Sequence, residues 1–103
     1  MTYRVTWLTY SFAVHRPPVL WSKTCGGVYI FCYRTPMGRW VPLYVGKCDC
    51  FWNRMSNHER WGEARQRGAS HVHAFAVRHP SQRAWIERRL IQRLRPPLNV
   101  QLK

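Results

Sequence analysis

The stretch that decides the fold is residues 27–58, GVYIFCYRTPMGRWVPLYVGKCDCFWNRMSNH. It contains two apolar runs, residues 27–33 and 41–46, that are rich in β-branched and aromatic side chains and that each carry a tyrosine. Between them lies the turn sequence Thr35-Pro36-Met37-Gly38. Two such runs joined by a Pro/Gly turn predict an antiparallel hairpin.

A helix is predicted directly after this hairpin. Asp49 is a plausible N-cap for a helix over residues 49–60, with Arg54 and His58 four positions apart on a common face. A second short helix is predicted over 61–66, closed by Gly68.

The rest of the chain adds one more strand and one more helix. Residues 71–77, HVHAFAV, alternate and predict a third strand, central in the sheet. Ser81 is predicted to cap a helix over 82–94 that Pro96-Pro97 ends, leaving Asn99 in an extended tail. The order of elements indicates the α+β class, with a small three-stranded antiparallel sheet flanked by helices.

The N-terminal residues fit this plan least well. Residues 2–14 alternate as an extended strand whose apolar face switches near Trp7, which suggests a bulge or a strand covered on both sides. We therefore divide the chain of 103 residues into an N-terminal extension at 1–24, packed on the domain as an additional strand or arm, and a domain at 25–103.

The charge balance indicates a polyanionic partner. Lys and Arg together number 17 against 4 acidic residues, a formal net charge of +13. Such an excess favours nucleic acid, while an acidic protein or an anionic membrane surface are the alternatives. No apolar run approaches the roughly 20 residues of a membrane span, and the N-terminus lacks a signal-peptide pattern. The predicted localisation is cytoplasmic, and oligomeric state is left open.

Four cysteines, Cys25, Cys32, Cys48 and Cys50, are present without the paired C-x-x-C spacing of a zinc site. Buried, reduced thiols are favoured over metal ligands. Histidines His71 and His73 share one face of the third strand with no further ligand at useful spacing, so strand-surface histidines are favoured there.

Five elements in order resemble a GIY-YIG nuclease domain. Gly27-Val28-Tyr29 is similar to the first motif and Tyr44-Val45-Gly46 to the second, each with Val in place of Ile. Lys47 follows the second motif, and the basic pair Arg54 and His58 comes next. Glu87 in the last helix, followed by Pro96-Pro97-Leu98-Asn99, is similar to the closing block of the family. The resemblance covers residues 27–99 and implies a three-stranded sheet flanked by helices.

The resemblance implies a metal-dependent endonuclease that hydrolyses phosphodiester bonds in DNA, with RNA left open. It assigns the general base to Tyr29, with Tyr44 close to it. Nearby positive charge from Lys47, Arg54 and a metal is expected to lower the phenol pKa, whose reference value is about 10. Ordinary strand packing is the alternative for both tyrosines.

Other site residues follow from the same resemblance. Arg54 is expected to stabilise the scissile phosphate, or only to position it. His58 is either a site member that contacts water, tyrosine or phosphate, or a packing histidine. Asn99 either supports the glutamate or the local backbone, or is a tail residue.

Only one of the acidic residues has an unusual position. Asp49 is assigned to a cap, while Glu59 and Glu63 lie on what reads as a solvated surface. Glu87 lies at the margin of an apolar helix face, where an ion pair with Arg83 or Arg88 is the simple alternative. A site with one Mg²⁺ or Mn²⁺ ion and one protein ligand, Glu87, is therefore the economical hypothesis.

The remaining basic side chains are interpreted as contacts to the nucleic-acid backbone, which give affinity without sequence preference. Those assigned to this surface are Arg60, Arg65, Arg67 and Arg88. Two other functions stay open: a catalytically inactive nucleic-acid-binding module of the same fold, and a basic protein that binds an acidic protein.

Overall fold

Two antiparallel hairpins and a fifth strand form one sheet in the computed structural model, which describes residues 3–100. The strands are β1 (Arg4–Trp7), β2 (Tyr10–His15), β3 (Gly27–Arg34), β4 (Trp40–Cys48) and β5 (His71–Ala76). The helices within those residues are α1 (Phe51–Met55), α2 (Trp61–Gln66), α3 (Pro80–Leu94) and α4 (Pro97–Val100). None of these helices is long and apolar enough to cross a membrane.

The sheet has the order β1-β2-β5-β3-β4, and every neighbouring pair is antiparallel. The predicted hairpin of β3 and β4 and the central position of β5 are confirmed. The α+β class is also confirmed, but the prediction of a three-stranded sheet is wrong. The predicted sheet consists of β3, β4 and β5. Two further strands extend it, because β2 pairs with the second edge of β5 and β1 pairs with β2.

The predicted single N-terminal strand is instead a tight hairpin. Trp7 pairs with Tyr10, so only Leu8 and Thr9 form the turn. Leu8 has a φ of 57°, the left-handed conformation that two-residue hairpin turns require. The change of face near Trp7 is therefore the reversal of the chain. It was misread because the turn lacks the Asn-Gly or Asp-Gly signal of such hairpins.

Apolar side chains cover both faces of the sheet. On one face, Ile86 and Leu90 of α3 pack with alternate residues of β3, including Val28 and Ile30. On the other face, the helices α1, α2 and α4 cover a second cluster around Tyr29. The strands of the predicted hairpin are thus buried on both sides, in agreement with their nearly continuous apolar sequence.

Helix α1 is shorter than predicted and is not capped by Asp49. Its N-cap residue is Cys50, in extended conformation. The first free N–H groups are satisfied by the N-terminal segment: Phe51 N donates to the Cys25 carbonyl and Trp52 N to the Ser22 carbonyl, each at 3.0 Å. Because backbone oxygens satisfy these donors, no side-chain cap is needed. The helix ends at Met55, and His58 lies outside it.

The last two helices also differ in detail from the prediction. Helix α3 begins at Pro80, with His79 as its N-cap, rather than at a Ser81 cap. Proline suits this first position because it has no N–H to leave unsatisfied. The helix ends at Leu94 as predicted, but Asn99 is not in an extended tail. It lies in the short helix α4.

His73 is buried rather than on the strand surface. Its side chain has no exposed area, and its Nδ1 accepts a hydrogen bond of 2.8 Å from the indole N–H of Trp7. The prediction failed because the N-terminal hairpin that supplies Trp7 was not foreseen. Burial, followed by the charges of His71 and His15, lowers the pKa of His73 to about 4. The neutral ring therefore carries its proton on Nε2.

This burial predicts a loss of stability in acid. Between the ordinary pKa of 6.5 and about 4, the unfolded chain binds more protons at His73 than the folded protein does. His73 should therefore contribute a decrease in the free energy of unfolding as the pH falls through this window, of on the order of 1 to 2 kcal/mol between pH 7 and pH 5. Urea denaturation at both pH values measures it.

His73→Gln should reduce this pH dependence, since glutamine keeps an acceptor for Trp7 but does not titrate. His79→Gln is the matched control, because His79 is exposed. An equal pH dependence in wild type and His73→Gln would contradict the assignment.

Candidate functional site

The candidate site is built on the contact between Tyr29 and Gly46. These residues are directly opposite each other in the β3–β4 ladder. The Tyr29 ring and hydroxyl lie over Gly46, in the space that a Cβ atom at position 46 would fill. Glycine is thus required by the close approach of the ring, which explains why the two motifs lie at this register.

His58 is bonded to the phenol of Tyr29. Its Nε2 lies 2.6 Å from the Tyr29 hydroxyl oxygen, and its Nδ1 accepts a hydrogen bond of 3.0 Å from the backbone N–H of Arg60. Because a backbone N–H can only donate, the neutral ring carries its proton on Nε2 and donates it to Tyr29. Burial and then the charge of Arg54 lower the pKa of His58 to about 4, which keeps the ring neutral.

Aromatic rings hold His58 in this orientation. Phe31 and Tyr44 meet the imidazole edge to face, with ring centroids 4.8 and 5.5 Å away. Phe31 was not foreseen as a residue of the site. Its only sequence signal is that it lies two positions after Tyr29 and therefore on the same face of β3.

Arg54 lies beside the same phenol and is held by Glu59. The two guanidinium nitrogens Nη1 and Nη2 donate to the Glu59 carboxylate, both at 2.8 Å. This bidentate pair lowers the pKa of Glu59 to about 2. Glu59 is exposed, as expected for a solvated surface, but its pairing with Arg54 is not predicted, because a spacing of five residues gives no signal. The contact forms because the chain leaves the helix after Met55.

The Tyr29 pKa is shifted opposite to the direction expected from the sequence. Burial raises the pKa of the phenol above its ordinary value, and the neighbouring guanidinium of Arg54 only partly opposes this rise. Lys47 is not among the groups that affect Tyr29. It was expected to lower this pKa, but it points to the other face of the sheet, since strand residues alternate.

Tyr44 lies between two groups of charged side chains. A bulge in β4 shifts the register between Phe31 and Cys32, next to Tyr44. Such bulges redirect side chains near functional sites. The ring centroids of Tyr44 and Tyr29 are 6.4 Å apart. Burial raises the pKa of Tyr44; the charge of Arg54 opposes this rise, and the charges of Glu87 and Glu59 add to it.

Glu87 and Lys47 form the second group. Burial raises the pKa of the Glu87 carboxyl, while Lys47 opposes the rise. Within residues 3–100, Glu87 makes neither an ion pair nor a side-chain hydrogen bond. The alternative of an ion pair with Arg83 is not realised: its guanidinium donates to the carbonyls of Val77 and Arg78. A half-buried carboxylate without an ionic partner fits a cation ligand.

Asn99 supports the backbone of the second motif. Its Oδ1 accepts from Val45 N at 2.8 Å, and its Nδ2 donates to the Val45 carbonyl at 2.9 Å. The side-chain amide thus takes the place of a neighbouring strand along β4, which is an edge strand. Of the alternatives that the sequence left open, support of the local backbone is the one observed.

The predicted basic surface is mostly free of internal pairing. Arg65, Arg67 and Arg88 are exposed, and over the described range they form no ion pair. Arg60 is half-buried and paired with Glu63. The four cysteines are free thiols, as predicted, but only Cys32 is buried; Cys25, Cys48 and Cys50 are half-buried. No cluster of three or more His, Cys, Asp or Glu side chains suited to a metal occurs between residues 3 and 100.

In comparisons with known proteins, no family model, no characterised protein and no solved structure matches the chain.

Gly46→Ala is expected to disrupt the site. The added methyl group occupies the position of the Tyr29 ring, so the ring must move away from His58. Overpacking of this kind costs about 1 to 3 kcal/mol, which urea denaturation measures. Gly62→Ala is the control, because a Cβ atom there meets nothing within 4 Å. Unchanged stability in Gly46→Ala would contradict the close packing of Tyr29.

Glu59→Gln is expected to increase affinity for phosphate-containing ligands. The substitution removes the carboxylate that holds Arg54 and leaves the guanidinium free for a phosphate. Because exposed ion pairs contribute about 0.2 to 1 kcal/mol, the gain should be roughly 1.5-fold to fivefold in Kd for a short DNA duplex.

The matched control is Glu63→Gln, which breaks the Arg60 pair and removes the same charge. Fluorescence anisotropy at fixed salt compares the two variants. Equal gains from both would show that net charge, rather than release of Arg54, is responsible.

Proposed function

We propose that the protein is a metal-dependent endonuclease of the GIY-YIG type that hydrolyses phosphodiester bonds in DNA. The observation that carries the proposal is the arrangement around the Tyr29 oxygen. His58 Nε2 donates to it at 2.6 Å, and the guanidinium of Arg54 lies beside it. An N–H donor and a neighbouring guanidinium charge at the same phenol both stabilise the phenolate.

Tyr29 acts as the general base in this proposal. The phenolate accepts the proton of the attacking water, and the two neighbouring donors stabilise its negative charge. Burial raises the pKa of Tyr29, so the phenolate is a minor form at neutral pH but a strong base. A substrate phosphate replaces Glu59 on Arg54, and the guanidinium then stabilises charge on the non-bridging oxygens.

The divalent ion of this proposal, Mg²⁺ or Mn²⁺, is held by Glu87. The carboxylate is half-buried beside Lys47 and Tyr44, and one protein ligand suffices for an ion that keeps several waters. When bound, the ion supplies positive charge for the phosphate and the leaving oxygen. Lys47 is exposed and adds a further positive charge on this side.

Several exposed arginines support the choice of a nucleic-acid substrate. Arg65, Arg67 and Arg88 carry no compensating carboxylate among residues 3–100, and the net charge is +13. Such charge binds phosphate backbones with a steep salt dependence. The free thiols are compatible with a reducing compartment, so we place the activity in the cytoplasm.

Cleavage of end-labelled DNA with Mg²⁺, Mn²⁺ or EDTA tests this function. We expect metal-dependent cutting by the wild type, and a loss of roughly 100-fold or more in Tyr29→Phe, because the base is removed. Glu87→Gln should also lose cutting while it keeps the fold and most of the DNA binding. Matched controls are Tyr33→Phe, on the same strand, and Glu63→Gln, on α2.

Two outcomes would contradict the assignment. Full activity in Glu87→Gln would contradict the assignment of Glu87 as the metal ligand. Full activity in Tyr29→Phe would contradict the assignment of Tyr29 as the general base. Salt-sensitive DNA binding by a wild type that cuts no substrate with any metal would instead favour an inactive binding module.

A further inference from the structure

A basic cleft of about 530 Å³ lies where the N-terminal segment meets helix α2. Arg16 and Pro17 of the loop after β2 form part of its wall, and Trp61 and Arg65 of α2 form another part. Its size is within the roughly 300 to 1,000 Å³ typical of small-ligand sites. Of these residues only Arg65 appears in the function proposed above, as one of several general backbone contacts, and none takes part in the proposed cleavage step.

The cleft carries positive charge that the described part of the chain does not neutralise. Arg16 and Arg65 are exposed, and neither forms an ion pair between residues 3 and 100. No acidic side chain lines the cleft. Two guanidiniums from separate segments that face one cleft are suited to a phosphate group, which accepts the planar fork of arginine.

Trp61 adds an aromatic surface to this charge. The indole packs edge to face against Phe31 at 4.9 Å and is half-buried, so part of it borders the cleft. Bases of single strands stack on such aromatic side chains whatever their identity. Cationic and aromatic groups together therefore fit a nucleotide better than they fit a free phosphate.

The cleft adjoins the candidate site. A smaller cavity, of about 70 Å³, has His58 and Phe31 in its wall and shares Pro17 and Trp61 with the cleft. His58 is the residue bonded to Tyr29. When one phosphate of a nucleic-acid strand lies at Arg54 and Tyr29, the cleft is close enough to hold a neighbouring nucleotide of the same strand.

Another basic cleft, beside Lys47 and Arg83, does not offer the same chemistry. Asp49 lines it, and the Arg83 guanidinium is already bonded to backbone carbonyls. It also lacks an aromatic wall. The cleft at Arg16 and Arg65 is therefore the better candidate for a nucleotide.

We infer that the cleft at Arg16, Trp61 and Arg65 binds an unpaired nucleotide of the substrate strand. The two arginines hold its phosphate, and Trp61 stacks on its base. The inference rests on the proposed function, because it places the nucleotide next to the phosphate to be cut. It also gives the N-terminal segment a role, the selection of single-stranded over duplex substrate.

Binding of a fluorescein-labelled oligothymidylate and of a duplex, both measured in EDTA, tests the inference. Arg16→Ala/Arg65→Ala removes two cleft charges, while Arg88→Ala/Arg93→Ala removes two exposed charges on α3 and is the matched control. We expect the cleft pair to lose roughly tenfold or more in single-strand affinity beyond the control pair. Duplex affinity should fall equally in both.

A second measurement locates the base without a substitution that could unfold the protein. An oligonucleotide that carries 5-iododeoxyuridine crosslinks to an aromatic side chain on which the base stacks. We expect the crosslinked peptide to contain Trp61. Equal single-strand losses in the two double variants, or a crosslink confined to peptides outside the cleft, would overturn the inference.

Cleavage with Mg²⁺, measured in parallel, separates this inference from the proposed function. If the wild type cuts and both double variants lose equal single-strand affinity, the proposed nuclease activity is supported and the nucleotide site in the cleft is rejected. If single strands bind selectively through the cleft but the wild type does not cut, the nucleotide site is supported and the proposed nuclease activity is rejected.

Discussion

The packing of the Tyr29 ring over Gly46 is the constraint on which the rest of the site depends. It fixes the register of β3 and β4. A shift of one residue would turn Tyr29 to the other face of the sheet and would place a residue with a side chain, instead of Gly46, opposite it. It also determines where the phenol oxygen lies. Arg54 approaches this oxygen from the last turn of α1, and His58 reaches it from the segment that follows the helix, so the positions of both side chains depend on where the phenol lies.

Side chains from both strands and from α4 support the contact between Tyr29 and Gly46. Asn99 holds the backbone of Val45, one residue from Gly46, through two hydrogen bonds. Phe31, two residues from Tyr29, packs against His58. The site is therefore supported by side chains on β3 and α4 whose contacts depend on the hairpin register. Groups held in this way lose little freedom when a substrate binds.

The sequence predicts what depends on local patterns. Alternation and turn chemistry indicate β3, β4 and β5 correctly. The resemblance to the GIY-YIG motifs selects Tyr29, Tyr44, Arg54 and His58, which the fold brings together. Contacts between distant segments were not predictable. The Trp7–His73 bond and the backbone caps of α1 from Ser22 and Cys25 have no local signature. The Arg54–Glu59 pair depends on the end of a helix, which sequence reasoning locates poorly. The direction of the Tyr29 pKa shift depends on burial, a tertiary quantity.

The central position of β5 has a consequence for how the chain assembles. Its partners β2 and β3 belong to two hairpins that each close locally, whereas β5 follows them both in sequence and pairs with residues up to 61 positions earlier, as Ala74 does with Ala13. Neither hairpin can join the other until β5 is available to lie between them. The strand order therefore predicts that the two hairpins form before they are joined, and that joining them requires slow, long-range closure. The unpaired edges of β2 and β3 can contact other chains during synthesis. Pairing with β5 covers these edges and so protects the chain from aggregation.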